Sequence, residues 1–359
     1  MENTFHGKKF YTGGHQGGDK YCRAYFDAVN KYIDAAKEES YRERERFMTP
    51  EKLAENPGYY RKKFLDMIGS PVKKYPNDIP TAEFSPFAED DFGKYFRLSI
   101  SVMEGMPFYG ILQLPKEKNE KYPLIIAQHG GGGIPEFCSD MCGKNVYCNF
   151  TKRALEKGFA VFAPQLMLWN FDVSTGEKFP VAEPLFNRAE IDRELKRLGL
   201  SMTGFEVFCL RRCIDFLSSL EYIDGEKIGM MGVSYGGYFS MHTTAADMRI
   251  KAAYNAASFN DRNSSCFADW GYKGSHKLFH DAEVAALCAP RALFVDVGRE
   301  DAVFDYKTAE KEASRVYKYY DAYGDKGKEK FVFNVWNGGH TFDAEKNLFS
   351  EFFDAVKKS

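Results

Sequence analysis

The run GVSYGG at residues 232–237 sets one serine, Ser234, between glycines. The apolar run KIGMMGV (227–233) before it reads as a strand, and YFSMHTTAA (238–246) after it reads as a helix. Ser234 is then the pivot of a sharp strand–turn–helix, which strains its backbone and exposes its hydroxyl. Gly232 and Gly236 have to be small because strand and helix crowd together at such a turn. The N–H of Tyr235, at the positive end of the new helix, is placed to meet negative charge developing on a reacting oxygen. The alternative is a glycine-rich turn with an incidental serine.

A serine hydroxyl needs a base to act as a nucleophile, and the base needs an acid to orient it. In this arrangement acid and then histidine follow the serine, each just after a later strand. After KFVFNVW (330–336) comes NGGHTF, so His340 is the candidate base, with Gly338 and Gly339 giving its imidazole room. After RALFVDVG (291–298) comes REDAVFD, and Asp301 is the candidate acid, with Asp305 and Glu300 as alternatives and Asp296 placed inside the strand. His6 and His15 lie in an N-terminal arm, His242 is expected to be packed, and His276 and His280 fall in an irregular stretch. A second oxyanion donor is expected after an earlier strand. PLIIAQ (123–128) runs into HGGGG, His129 to Gly133, where Gly131 is the first choice and Gly130 and Gly132 are alternatives.

The elements that must hold these residues follow from periodicity. PLIIAQ, FAVFAPQ (159–165), KIGMMGV, IKAAYNAA (250–257), RALFVDVG and KFVFNVW are continuous apolar runs, as in parallel strands buried on both faces. Between them, TGFEVFCLRRCIDFLSSL carries one helical apolar stripe through Phe205, Cys209, Cys213, Phe216 and Leu220. Residues 93–115 read as a β-hairpin. Residues 20–46 read as a helix with Cys22, Phe26, Val29, Ile33 and Ala36 on one face; Thr49–Pro50–Glu51 starts another, with a break at Pro57–Gly58. The expected division is an N-terminal arm and helical extension over 1–92 and a catalytic domain over 93–359. Residues 166–200 are a lid-like insertion. That insertion and the loop CFADWGYKGSHKLF are expected to wall a pocket, with Trp169 and Trp270 as candidate substrate contacts and core packing as the alternative for each.

The chain has 359 residues, 44% hydrophobic and 28% charged, and a net charge of −2, which gives no case for nucleic acid or an anionic membrane surface. No membrane span or signal peptide is read, so a cytoplasmic location is expected. The eight cysteines lack CxxC spacing. Cys138, Cys142 and Cys148 lie close together without a supporting histidine or carboxylate pattern, so neither a metal nor an organic cofactor is expected.

Taken together, the sequence resembles the α/β-hydrolases. The elbow GVSYGGYFSM is similar to that of the prolyl oligopeptidase family and of the dienelactone hydrolase and acetyl xylan esterase-like branches. The segments LKRLGLSMTGFEVFCLRRCIDFLSSLEYIDGEKIGMMGVSYGG and PRALFVDVGREDAVF, with YYRKKFLDMIG in the extension, look most like the last branch. The resemblance spans roughly residues 60–359. It implies a mostly parallel sheet flanked by helices, and Ser234, Asp301 and His340 as nucleophile, acid and base. It also implies oxyanion N–H groups from Tyr235 and Gly131. The activity it implies is hydrolysis of small carboxylic esters, among them acylated carbohydrates and plant-derived esters. No β-propeller is expected, unlike in the peptidase branch, and no signal peptide is read, unlike in secreted acetyl xylan esterases. A serine peptidase for short peptides is the second expectation, and a non-catalytic binding scaffold the third. The partner expected is a small-molecule ester; the N-terminal arm and helix are a candidate lid brace or contact for a homo-oligomer.

Overall fold

The computed structural model describes residues 4–5, 8–9, 16–141, 147–168, 171–172, 177–178, 188–346 and 348–358. The chain divides into two compact units, Met1–Phe47 and Met48–Ser359. The first holds helix α1 (Gln16–Phe47), as the spacing over 20–46 predicts.

The second unit is built on one nine-stranded sheet. Its strands are β1 (Ala82–Glu89), β2 (Gly93–Met103), β3 (Met106–Pro115), β4 (Tyr122–Gln128), β5 (Ala160–Pro164), β6 (Ile223–Val233), β7 (Ile250–Ala256), β8 (Ala292–Gly298) and β9 (Phe331–Trp336). The spatial order is β9-β8-β7-β6-β4-β5-β3-β2-β1. Pairing is parallel from β9 through to β5, and antiparallel from β5 through β3 and β2 to β1. Every apolar run read as a strand is one. The division expected at residue 92 moves to 47, because Ala82–Glu89 pairs with Gly93–Met103 as the edge of this same sheet and the two short helices before it belong to the same unit.

Helices cover both faces. The helices of this unit include α2 (Pro50–Glu55), α3 (Pro57–Ile68), α4 (Pro135–Cys138), α5 (Phe150–Glu156), α6 (Arg188–Arg197), α7 (Met202–Leu217), α8 (Tyr235–Ala246), α9 (Asp281–Ala286), α10 (Tyr306–Asp321) and α11 (Leu348–Lys357). Thr49 caps α2 and Asn56 caps α3, so the Pro57 break is a fresh start with its own cap. On one face Ile125, Val161, Met231 and Tyr254 pack with Phe150 of α5 and Phe352 of α11. The alternate residues Ile126, Met230 and Ala253 are equally buried toward the other face, where α8 packs on β6 and β7 and α7 packs on α8. Burial on both faces is why these strands read as unbroken apolar runs. Parallel pairing brings the carboxyl ends of β4 to β9 to one edge, so the loops carrying Ser234, Asp301, His340 and the 129–133 glycines share that edge.

Candidate active site

Ser234 sits between β6 and α8 with φ 58° and ψ −120°, a backbone conformation costly for a residue with a side chain. A Cβ on Gly232 would lie 2.5 Å from the Gly236 carbonyl carbon, and one on Gly236 would fall on the Gln128 carbonyl oxygen. Strand and helix therefore cross here only because both positions lack side chains. The Ser234 N–H donates to the Ala256 carbonyl (2.8 Å) and its carbonyl accepts from Tyr238 N (2.9 Å), which fixes the turn without using the hydroxyl. The hydroxyl does not cap α8. Among the described residues it makes no hydrogen bond, to His340 or to any other group. Nucleophile–base hydrogen bonds are often long without substrate.

His340 and Asp301 are brought together. Asp301 Oδ2 lies 2.8 Å from His340 Nδ1, and Asp301 Oδ1 accepts from the N–H groups of Val303 (2.7 Å) and Phe304 (3.2 Å). Burial alone would raise the Asp301 pKa; these hydrogen bonds, with that from His340 foremost, outweigh it and hold the carboxyl below its usual value. An ionised acceptor keeps the His340 proton on Nδ1 and leaves Nε2 with its lone pair. The loop can carry His340 there because Gly298, at the end of β8, lets the Gly338 and Gly339 carbonyls press against it. The other candidate acids are engaged elsewhere. Asp296 is buried inside β8 among Tyr254, Asn334 and the Asp343 N–H, and Asp305 caps α10. Glu300 is exposed. Aromatic contacts link this pair to the elbow: Phe304 stacks on His340 (5.9 Å) and on Trp270 (5.8 Å), which meets Tyr235 edge-on (5.0 Å).

The glycine loop approaches the elbow closely, with the Cβ position of Gly131 3.2 Å from the Tyr235 ring. Gly130, one of the expected oxyanion donors, has its N–H directed at the Tyr147 hydroxyl (3.0 Å), and the Gly133 N–H turns back to the Gly130 carbonyl. Gly130 is thus corrected to a loop anchor, and the N–H of Gly131 is not among the bonds that fix the loop. Tyr235 N–H, in the first turn of α8, has no partner within the helix.

Trp270 is likewise corrected. It is 2% exposed, stacked on Tyr238 at 4.2 Å with the Arg262 guanidinium 4.6 Å from its ring, so it packs beneath the site rather than lining an opening. Trp169 lies outside the described residues, as do residues 173–176 and 179–187 of the expected lid. No His, Cys, Asp and Glu cluster among the described residues could hold a metal ion, and no helix there is long and apolar enough to cross a membrane.

Two supports escape a reading of the sequence alone. His129 is fully buried; its Nε2 accepts the Leu166 N–H (3.0 Å), so Nδ1 carries the proton and donates to the Gly130 carbonyl (2.8 Å). Burial pushes its pKa down to about 4, and it stays neutral. The second is a buried charge network. Arg188 binds Glu206 through two nitrogens (2.9 and 2.7 Å) and Asp269 through Nε (2.6 Å), while Asp269 accepts from the Tyr235 hydroxyl (2.9 Å). The Arg188 guanidinium also lies 5.4 Å from the Tyr235 ring. The residue whose N–H is the candidate oxyanion donor is therefore pinned at its far end. No local motif announces this network, because its members come from three separated segments.

Residues 210–276 match the model of the prolyl oligopeptidase family. YtaP of Bacillus subtilis (strain 168), described as a hydrolase, is 25% identical over 253 residues, 67% of this chain and 80% of that protein. A glucuronoyl esterase from Solibacter usitatus superposes with a TM-score of 0.60 at 15% identity, over 82% of this chain and 91% of that one. Acetyl xylan esterase 1 from Thermoanaerobacterium sp. JW/SL YS485 gives 0.53 at 17% identity, over 84% and 94%. At these identities the likeness to solved structures is one of fold, and the fold is that of the α/β-hydrolases.

Proposed function

We propose that the protein is a serine hydrolase of small carboxylic esters. The observation that carries this reading is a serine held in strained elbow geometry at the same sheet edge as a bonded His340–Asp301 pair. Ser234 Oγ attacks the acyl carbon as His340 Nε2 takes its proton. Asp301 steadies the imidazolium. The N–H groups of Tyr235 and Gly131 receive the oxyanion. His340 then protonates the departing alcohol, and water, activated by the same base, releases the acid and restores Ser234.

The fold neighbours include enzymes named for glucuronoyl and acetyl xylan esters, which supports acylated carbohydrates or plant-derived esters as the substrate class. The family match over 210–276 favours a second reading, hydrolysis of short peptides by the same residues. The test is labelling by a fluorophosphonate probe in wild type and Ser234→Ala, with p-nitrophenyl esters and di- and tripeptides assayed in parallel. Label and ester turnover lost together in the variant support the esterase. Turnover of peptides alone selects the second reading, and label retained by Ser234→Ala means the nucleophile lies elsewhere.

A further inference from the structure

Beside the site, at the carboxyl end of β5, along α6 and against β3, lies a cavity of about 510 Å³. Its lining is almost wholly apolar and comes from four segments: Met106–Tyr109, Gln165–Met167, the α6 residues Ile191 and Leu195, and Met202 to Cys209 of α7. Two features set it apart from an ordinary packing gap. Helix α6, RAEIDRELKR, is otherwise strongly polar, yet its apolar residues Ile191 and Leu195, four apart on one face, both line the cavity and are only half-buried. Met106, Phe108, Met167 and Phe205 are half-buried there too. The volume is within the range of small-molecule sites.

The cavity is tied to the oxyanion side of the site. Glu206 lines it and is clamped by Arg188, which lies against Tyr235. Leu166 lines it and is held by His129, the residue that opens the glycine loop. Ser234 follows β6, and Gln165 follows β5 two strands away, a separation of about 10 Å at normal strand spacing.

We propose that this cavity seats an apolar arm of the substrate, an alkyl chain or aromatic ring attached about 10 Å from the scissile carbonyl. This rests on the esterase reading and adds to it that one half of the ester is hydrophobic. The arm belongs to the acyl group or to the alcohol, and two substrate series separate these. Each methylene that enters raises kcat/KM by up to about fourfold. The gain starts only with chains long enough to reach.

The experiment compares p-nitrophenyl esters from acetyl to decanoyl, and acetates of alcohols from ethanol to decanol, in wild type and Leu195→Trp. Leu195→Trp fills the cavity from its half-exposed wall and touches none of the proposed catalytic groups; Ile191→Trp, from the next turn, serves if the first variant melts early. Expected is a rise of tenfold or more from the short to the octyl member of one series. The filled variant should lose that rise while keeping acetyl turnover within twofold. Acetyl turnover with both series flat, or a rise that survives both fillings, overturns the inference and leaves the esterase standing. If no ester is turned over, calorimetric titration with 1-octanol decides it alone: binding that Leu195→Trp abolishes supports the apolar seat, and no binding overturns it.

Discussion

Replacing Asp301 by Asn changes one oxygen to an NH2 group and removes one charge. The Asn carbonyl can still accept from the Val303 and Phe304 N–H groups that Asp301 Oδ1 holds at 2.7 and 3.2 Å, so the turn after β8 should survive. At the other oxygen, 2.8 Å from His340 Nδ1, the acceptor becomes a donor. The imidazole can satisfy that donor only by placing its proton on Nε2, the atom that receives the Ser234 proton in the proposed mechanism. The base is then lost with the fold intact. A tautomer switch of this kind costs about 10³–10⁴ in kcat, or about 4–5.5 kcal/mol of transition-state stabilisation. The lost charge-assisted hydrogen bond costs only about 1.5–3 kcal/mol of stability. In the native protein the carboxyl pKa is lowered on folding, so its stabilising effect is present above about pH 4 and is lost only as pH falls through the folded value. The variant should therefore be compared with wild type at neutral pH. The assay is kcat and KM for p-nitrophenyl acetate in wild type, Asp301→Asn, Asp305→Asn and Glu300→Gln, with a thermal melt of each. KM should change little, and only the first variant should lose three or more decades of kcat. Asp301→Asn within tenfold of wild type, with its melt unchanged, would refute the assignment of the acid and the tautomer argument with it.

Two further outcomes are expected. His129 and His242 are fully buried and neutral, with pKa values pushed down by burial to about 4 and about 3 from an ordinary 6.5. Their folded pKa values lie below the unfolded ones, so stability is complete only well above pH 6.5 and falls as pH drops through 6.5, by roughly 1.5 kcal/mol per histidine between pH 6.5 and 5; urea unfolding at those two pH values should show it, and His129→Gln should remove about half the effect. Arg188→Met should leave Glu206 and Asp269 facing each other in the interior without a cation, destabilising the fold by about 3–5 kcal/mol, read as a fall in Tm, with a drop in kcat larger than any change in KM if Tyr235 loses its anchor.

How much of this was legible in the sequence depends on whether the governing contact is local. The strands β4 to β8 announced themselves because both faces are buried, which leaves little polar alternation to dilute the run, while the edge strand β9 is only half-buried at four of its six residues and was read from its apolar composition. Ala82–Glu89 did not: AEFSPFAE is an edge strand with most side chains exposed and a proline inside, so it carries neither pattern. Ser234 with its two glycines was readable because part of the crowding that requires them, Gly232 against Gly236, is between neighbours in sequence, although the end of β4 at Gln128 also presses on both. That the Gly130 N–H is already engaged was not readable within HGGGG; its partner is the hydroxyl of Tyr147, seventeen residues further on, which leaves Gly131 as the proposed donor. Trp270 looked like a pocket residue by position, and only the stacking of Tyr238, Phe304 and Arg262 around it shows that it is core.

The same distinction separates the two halves of the site. Asp301 and His340 are held by their own loops, through bonds to nearby backbone and the close pass of Gly298 against Gly338, and the His340 side chain is 31% exposed. The oxyanion side is held by residues far apart in the chain: Tyr147 and His129 fix the glycine loop, while Arg188, Glu206 and Asp269, all buried, fix Tyr235. Donors that must meet a developing charge act best when they need not reorganise, and a buried, satisfied network supplies that rigidity. In the proposed mechanism the base takes a proton from Ser234 and later returns one to a leaving group, so it has two positions to serve. The greater exposure of His340, and the absence of a Ser234–His340 hydrogen bond among the described residues, fit that division of labour. Substitutions in the buried network should then lower kcat through the oxyanion without altering fluorophosphonate reactivity as severely as loss of His340, a contrast that comparing Asp269→Asn with His340→Ala would expose.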